Sequence, residues 1–174
     1  MSEELKKAVT HLKSGRVIVF PTETVFGIGA CLDKPRAIDR IFKIKKRPKS
    51  KPLQILVANL KQAQELGEFS KKALSFAKKH WPGPYTLIVP AQKGKKTVGL
   101  RIPDHQTILK LIRAVGPIAA TSANLSGMPP ALTTQQARKY IGDKVDFVLP
   151  GRTRQGRASK VIDFTKDKAK VLRS

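Results

Sequence analysis

The stretch VIVFPTETVFGIGA, from Val17 to Ala30, decides how the chain is read. Its first four residues are an apolar, mostly β-branched run of the kind that forms a buried strand. Pro21 stops the run, Thr22, Glu23 and Thr24 follow, and an apolar segment broken by Gly27 and Gly29 comes next. This reads as a strand ending in polar groups beside a cramped glycine turn. In α/β sheets ligands gather beyond strand ends, where loops free backbone N–H groups.

Outward from that stretch, helices and strands alternate. Apolar periodicity predicts helices over Glu3–Lys13, Pro35–Lys45, Leu60–Glu65, Ser70–Lys79, Gln106–Ala114 and Thr133–Tyr140. Strands are predicted over Arg16–Phe20, Leu53–Val57, Tyr85–Val89, Val98–Ile102, Ile118–Thr121, Asp146–Leu149 and Lys160–Phe164, with a short final one at Lys170–Leu172. The class is α/β or α+β around one mixed sheet. At 174 residues, one domain is expected. The Gly- and Arg-rich Pro150–Ala158 reads as a mobile surface loop.

Composition bounds the function. There is no apolar run long enough to span a membrane and no signal-peptide pattern at the start. The single Cys31 fits a reducing compartment, so a cytoplasmic protein is expected. One cysteine and three scattered histidines assemble no metal site. The charge is the strongest signal: 35 Lys and Arg against 12 Asp and Glu give +23. That field favours polyanions or phosphorylated ligands. It is concentrated, with six basic residues among the nine of Lys43–Lys51 and eight between Arg152 and Arg173.

No phosphate-binding glycine loop, zinc-protease motif or nucleophile elbow is present, and no residue reads as an activated nucleophile. Instead, polar residues sit where strands end: Thr22–Thr24, Thr121–Asn124, and Arg101 within VGLRIP. Hydroxyls, exposed N–H groups and Arg or Lys side chains together suit carboxylate and phosphate groups. TSAN also reads as a cap and turn, and Lys45–Lys51 as a helix end stopped by Pro48. Residue chemistry alone reaches a basic α/β protein that binds a small anion.

Taken in order, PTETVFGIGA (Pro21–Ala30), K-x-R-P-x-x-K-P-L (Lys45–Leu53), WPGPYTLIVPA (Trp81–Ala91), VGLRIPDH (Val98–His105), IAATSANLSGMPP (Ile118–Pro130) and ASKVIDF (Ala158–Phe164) resemble the YrdC/Sua5 family of threonylcarbamoyl-AMP synthases. The match covers nearly the whole chain. It is similar to the short bacterial form, TsaC, and the end at Ser174 leads one to expect no Sua5-type C-terminal domain.

The resemblance implies a twisted, mostly antiparallel sheet around an open basic cavity. It implies that L-threonine, bicarbonate and ATP give threonylcarbamoyl-AMP and pyrophosphate, a nucleotidyl transfer that opens the route to N6-threonylcarbamoyladenosine (t6A) at position 37 of ANN-decoding tRNAs. Mg2+ would come with ATP, and a TsaD/TsaB/TsaE-type transferase would act downstream. Lys45 and Arg47 would be catalytic, holding carbamate and phosphates. Thr24, Thr22, Arg101, Ala120 and Ser159 would contact threonine, with Arg101 on its carboxylate. Arg47, Lys51, Thr97, Ser122, Asn124 and Arg173 would bind ATP. Lys45→Ala would then abolish turnover in an intact fold.

Four positions depart from the family pattern: Leu56 in place of a histidine, Pro130 of a serine, Lys160 of a threonine and Phe26 of a tyrosine. Two other readings use the same basic cavity. One is a factor for double-stranded RNA or tRNA binding and ribosome maturation. The other is a YciO-like paralogue.

Overall fold

A computed structural model describes residues 1–93, 96–125 and 127–174; Gly94, Lys95 and Ser126, the last within the quoted IAATSANLSGMPP run, lie outside it. Among the described residues six helices and nine strands alternate: α1 (Glu3–Lys13), β1 (Ile18–Phe20), β2 (Gly27–Cys31), α2 (Pro35–Lys45), β3 (Gln54–Leu56), α3 (Leu60–Leu66), α4 (Lys71–His80), β4 (Tyr85–Pro90), β5 (Thr97–Arg101), α5 (Gln106–Val115), β6 (Ile118–Ser122), α6 (Thr134–Ile141), β7 (Phe147–Val148), β8 (Lys160–Asp163) and β9 (Lys170–Arg173). The strands form one sheet in the order β7-β1-β2-β6-β3-β5-β4-β8-β9. The β1–β7, β3–β5 and β4–β8 pairs are parallel and the other five antiparallel. The expected mixed, mostly antiparallel α/β sheet is present.

The helix ends follow local chemistry. Ser2 Oγ accepts from Leu5 N at the start of α1, and Gly15 at φ +73° lets the chain turn past its end. α2 begins with Pro35 and ends with Lys46 in the left-handed region at φ 50°. That cap reverses the chain, so Lys45 points inward while Arg47 leaves in another direction.

Three apolar clusters hold the sheet. α1 and α5 pack Leu5, Leu12, Ile108 and Ile112 against Ile18, Phe20 and Ile118. α2 and α6 pack Ile41, Ala137 and Ile141 against Val17, Val19 and Ile28. α3 and α4 cover Leu87, Val89 and Leu100. Strand alternation then sends Thr86 and Ile88 of β4, and Thr97, Gly99 and Arg101 of β5, to the face that α3 and α4 leave uncovered.

Two expectations fail. The glycines of GIGA do not make a turn or open backbone to a ligand; they lie within β2, paired to β1 and β6. A Cβ on Gly29 would stand 2.8 Å from Ile118 Cγ2 and 2.9 Å from Phe20 Cε1. The glycine therefore exists so that core side chains can lie across the strand. Gly29→Ala should cost about 1–3 kcal/mol through overpacking, read as a lowered midpoint in urea; an unchanged midpoint would remove this account.

The second concerns Pro150–Ala158, which is tied down rather than loose. The amides of Arg154 and Gln155 donate to Glu23 O, at 3.1 and 2.8 Å, and that of Gly156 donates to Thr24 O at 2.9 Å. Arg154 Nη2 also meets Asp104 Oδ2 at 2.7 Å. The segment is a strap laid on the PTET loop. Its contacts to the PTET loop are made by the backbone, which its side-chain composition does not reveal.

Candidate functional site

On the uncovered face of β3, β5, β4 and β8 lies a cavity of ≈ 760 Å³. Thr24, Arg47, Lys51, Thr97, Arg101, Ala120, Ser122, Ser159 and Arg173 line it, so nine predicted site residues from distant parts of the chain meet there. Arg47, Arg101 and Arg173 bring guanidiniums to one space. Burial, and then the charges of Arg101 and Arg47, pull the pKa of Arg173 below its ordinary value. A cavity whose cations repel one another is suited to an anion carrying several charges.

Arg101 is set from beneath. Its side chain is 2% exposed, and Nη2 donates to Glu23 Oε1 at 2.5 Å and to Thr24 Oγ1 at 3.0 Å. Nε donates to Gly83 O at 3.2 Å. Burial lowers the pKa of this guanidinium and the Glu23 carboxylate opposes that fall. The whole fork expected for a carboxylate is thus not free: one edge is spent on Glu23 and Thr24. Glu23, fully buried, is the residue whose role the sequence did not disclose; its placement beside Arg101 comes only from folding.

Lys45 is placed differently from the nine lining residues. It does not line the cavity. Its ammonium donates to Ser122 O and Asn124 O, both at 2.6 Å, and to Asn124 Oδ1 at 3.0 Å. Burial, aided by the charge of Arg47, pushes its pKa down to about 8. In this structure it is a strut under the TSAN loop. Asn124 is likewise turned away from the cavity: Oδ1 accepts from Ser122 Oγ at 2.7 Å and Nδ2 donates to Met128 O. Thr22 stands behind Thr24, donating its hydroxyl proton to Val25 O at 2.7 Å. Thr22 Oγ1 also accepts from the amides of Thr24 and Val25 and lies 2.8 Å from Thr24 Oγ1. Thr24 Oγ1 accepts from Arg101 Nη2 and keeps a second lone pair as an acceptor.

Arg47, by contrast, faces the cavity, steadied by Nε to Lys51 O at 2.7 Å and Nη2 to Pro52 O at 3.1 Å. Arg173, on edge strand β9, donates Nε to Ser159 O at 2.7 Å and Nη2 to Ser159 Oγ at 3.0 Å. Sequence reasoning also missed Gln54 and Thr86 in the lining. For Thr86 the signal was present in β4, where every second residue points away from the α3–α4 core; Gln54, on β3, carried no such local signal. Of the four departures, Leu56 and Phe26 are core residues and Lys160 is exposed.

The Sua5/YciO/YrdC family model, described as "Telomere recombination", matches residues 10–174. The chain belongs to this family. A threonylcarbamoyl-AMP synthase of Pyrococcus abyssi is 37% identical over 98% of the chain and 53% of its own length. The crystal structure of P. abyssi Sua5 complexed with L-threonine matches with a TM-score of 0.92 and 36% identity, over 99% of the chain and 55% of that one. The present Sua5/YciO/YrdC chain thus spans about half the length of that archaeal protein. A threonylcarbamoyl-AMP synthase of Photobacterium profundum is 36% identical over 87% of the chain and 88% of its own length. E. coli YciO matches with a TM-score of 0.89 and 26% identity, over 98% of the chain and 88% of that one. Among the described residues no helix is long and apolar enough to cross a membrane.

Proposed function

We propose that the chain is a threonylcarbamoyl-AMP synthase, a nucleotidyltransferase using L-threonine, bicarbonate or CO2, and ATP. One observation carries the reading: the guanidiniums of Arg47, Arg101 and Arg173 converge on a cavity otherwise lined largely by hydroxyls, an amide and apolar atoms. That arrangement neutralises carboxylate and phosphate charge and supplies no activated nucleophile, which suits substrates that attack one another.

In this reading the carboxylate of threonine meets Nη1 of Arg101, the nitrogen not engaged by Gly83, Glu23 or Thr24, and its own nitrogen meets the acceptor on Thr24. The amine adds to CO2, forming an N–C bond and releasing a proton to water. A carbamate oxygen then attacks the α-phosphorus, and the bond to pyrophosphate breaks. Arg47, Arg173, Lys51, Thr97 and Ser122 hold the nucleotide and its phosphates, while Lys45 and Asn124 shape the loop that carries Ser122. Mg2+ arrives with ATP, held by phosphate oxygens. The adenylate passes to a transferase that completes t6A on tRNA.

Pyrophosphate release by the purified chain, with threonine and bicarbonate omitted in turn, tests this. Release is expected only with both present. A folded protein that releases none under any combination would overturn the reading and return the basic face to double-stranded RNA binding.

A further inference from the structure

We infer that Gln54 reads the side-chain hydroxyl of the amino-acid substrate, and that Thr86, Ser159 and Arg173 fix its amide for that task. The inference rests on the synthase reading and adds a specificity residue to it.

Four side chains in the cavity lining are joined in a row. Arg173 Nη2 meets Ser159 Oγ at 3.0 Å, Ser159 Oγ meets Thr86 Oγ1 at 2.9 Å, and Thr86 Oγ1 meets Gln54 Oε1 at 2.6 Å. The last distance settles the direction of the row. A 2.6 Å separation lies in the range of O–H···O bonds and below that of amide N–H···O bonds. Thr86 therefore donates its single proton to the Gln54 carbonyl oxygen. Having none left, it must accept from Ser159, whose own proton is then spent. Ser159 in turn accepts from Arg173, whose guanidinium can only donate.

The row has consequences at both ends. Neither Thr86 nor Ser159, each almost fully buried, has a proton to give a ligand. Gln54 has its oxygen held, and among the described residues nothing accepts from its Nε2. Gln54 lies opposite Ala120 in the β3–β6 register, and both line the cavity with Ser159 and Arg101. Gly99, beside it on β5, adds no side chain to the lining. Gln54 thus brings an uncharged amide whose N–H groups have no partner among the described residues to the cavity wall.

Threonine has three polar groups. Its carboxylate seeks a guanidinium, and Arg101 supplies one. Its amine must stay available to take up CO2. The hydroxyl remains, and a neutral amide N–H is the donor that matches a neutral acceptor. A site built to bond a hydroxyl leaves its own polar group unpaired when an analogue lacks one, and so rejects that analogue. Gln54 would thus separate threonine from valine, which has nearly the same shape.

The test is pyrophosphate release with threonine and with valine, for wild type, Gln54→Met, Thr86→Val and Thr86→Ser. Gln54→Met keeps length without the amide. It is expected to narrow the threonine-to-valine ratio of kcat/KM by roughly 10- to 100-fold, mostly through the KM for threonine, with the KM for ATP unchanged. Thr86→Val, which frees the amide to turn, should narrow the ratio part-way, and Thr86→Ser should restore it. The ratio is internal to each preparation, so a partly unfolded variant does not disturb it. A Gln54→Met enzyme with the wild-type ratio would overturn the assignment of Gln54 alone. Wild type with no threonine-dependent release would overturn the synthase reading beneath it.

Discussion

Glu23→Ala is expected to lose about 3–5 kcal/mol of stability and to raise the threonine KM far more than the ATP KM. The reason is the fully buried pair it forms with Arg101, 2.5 Å apart. Removing one partner leaves a guanidinium in the interior with no counter-charge, and such losses fall in this range. The guanidinium would also lose the anchor that fixes which edge it shows to the cavity. Two measurements separate these effects. Chemical denaturation should show the full loss for Glu23→Ala and a large part of it back in a Glu23→Leu/Arg101→Met double variant, because apolar replacement of both partners removes the unpaired charge. Threonine binding should stay lost in that double variant. A single variant as stable as wild type, with normal threonine KM, would show that the pair neither supports the fold nor aims the arginine.

The second large effect is expected at Lys45. Lys45→Met should destabilise by about 2–4 kcal/mol, since the Ser122 and Asn124 carbonyls and the Asn124 amide oxygen lose a buried cationic donor. Turnover should fall with it, through a displaced TSAN loop and a raised ATP KM. Arg47→Ala, two residues on, should do the reverse: activity is lost while the denaturation midpoint barely moves, because its side chain faces the cavity. Thermal or urea melts beside ATP titrations of both variants decide the matter. A Lys45→Met protein of wild-type stability that is inactive would restore Lys45 to the substrate and remove the strut described above.

These two residues show what the sequence can disclose. Serine at position 2, Gly15, Pro35 and Pro48 are local punctuation, and they place α1 and α2 at their observed bounds. Thr24, Arg101 and Ser159 were legible as residues of one cavity because motifs carry them in order. β2 escaped because GIGAC has neither alternation nor bulk; all five residues are buried on both faces of the sheet. Lys45 sits in a run of basic residues and looks like its solvated neighbours. Its acceptors lie 77 and 79 residues further along, and no local pattern records them. Glu23 and Arg101 are 78 apart, Thr86 and Ser159 are 73 apart. Contacts of this kind follow from sheet order, and sheet order is what short-range periodicity omits.

The strap on the PTET loop bears on the order of events during synthesis. Thr24 and Glu23 emerge early, but the amides that donate to their carbonyls belong to residues 154–156, and Arg173 comes later still. A nascent chain can carry the Glu23–Arg101 pair long before the wall opposite it exists. The lining is therefore completed only once β9 has been made, and a chain short of it lacks one of the four cations, Arg47, Lys51, Arg101 and Arg173, that face the cavity.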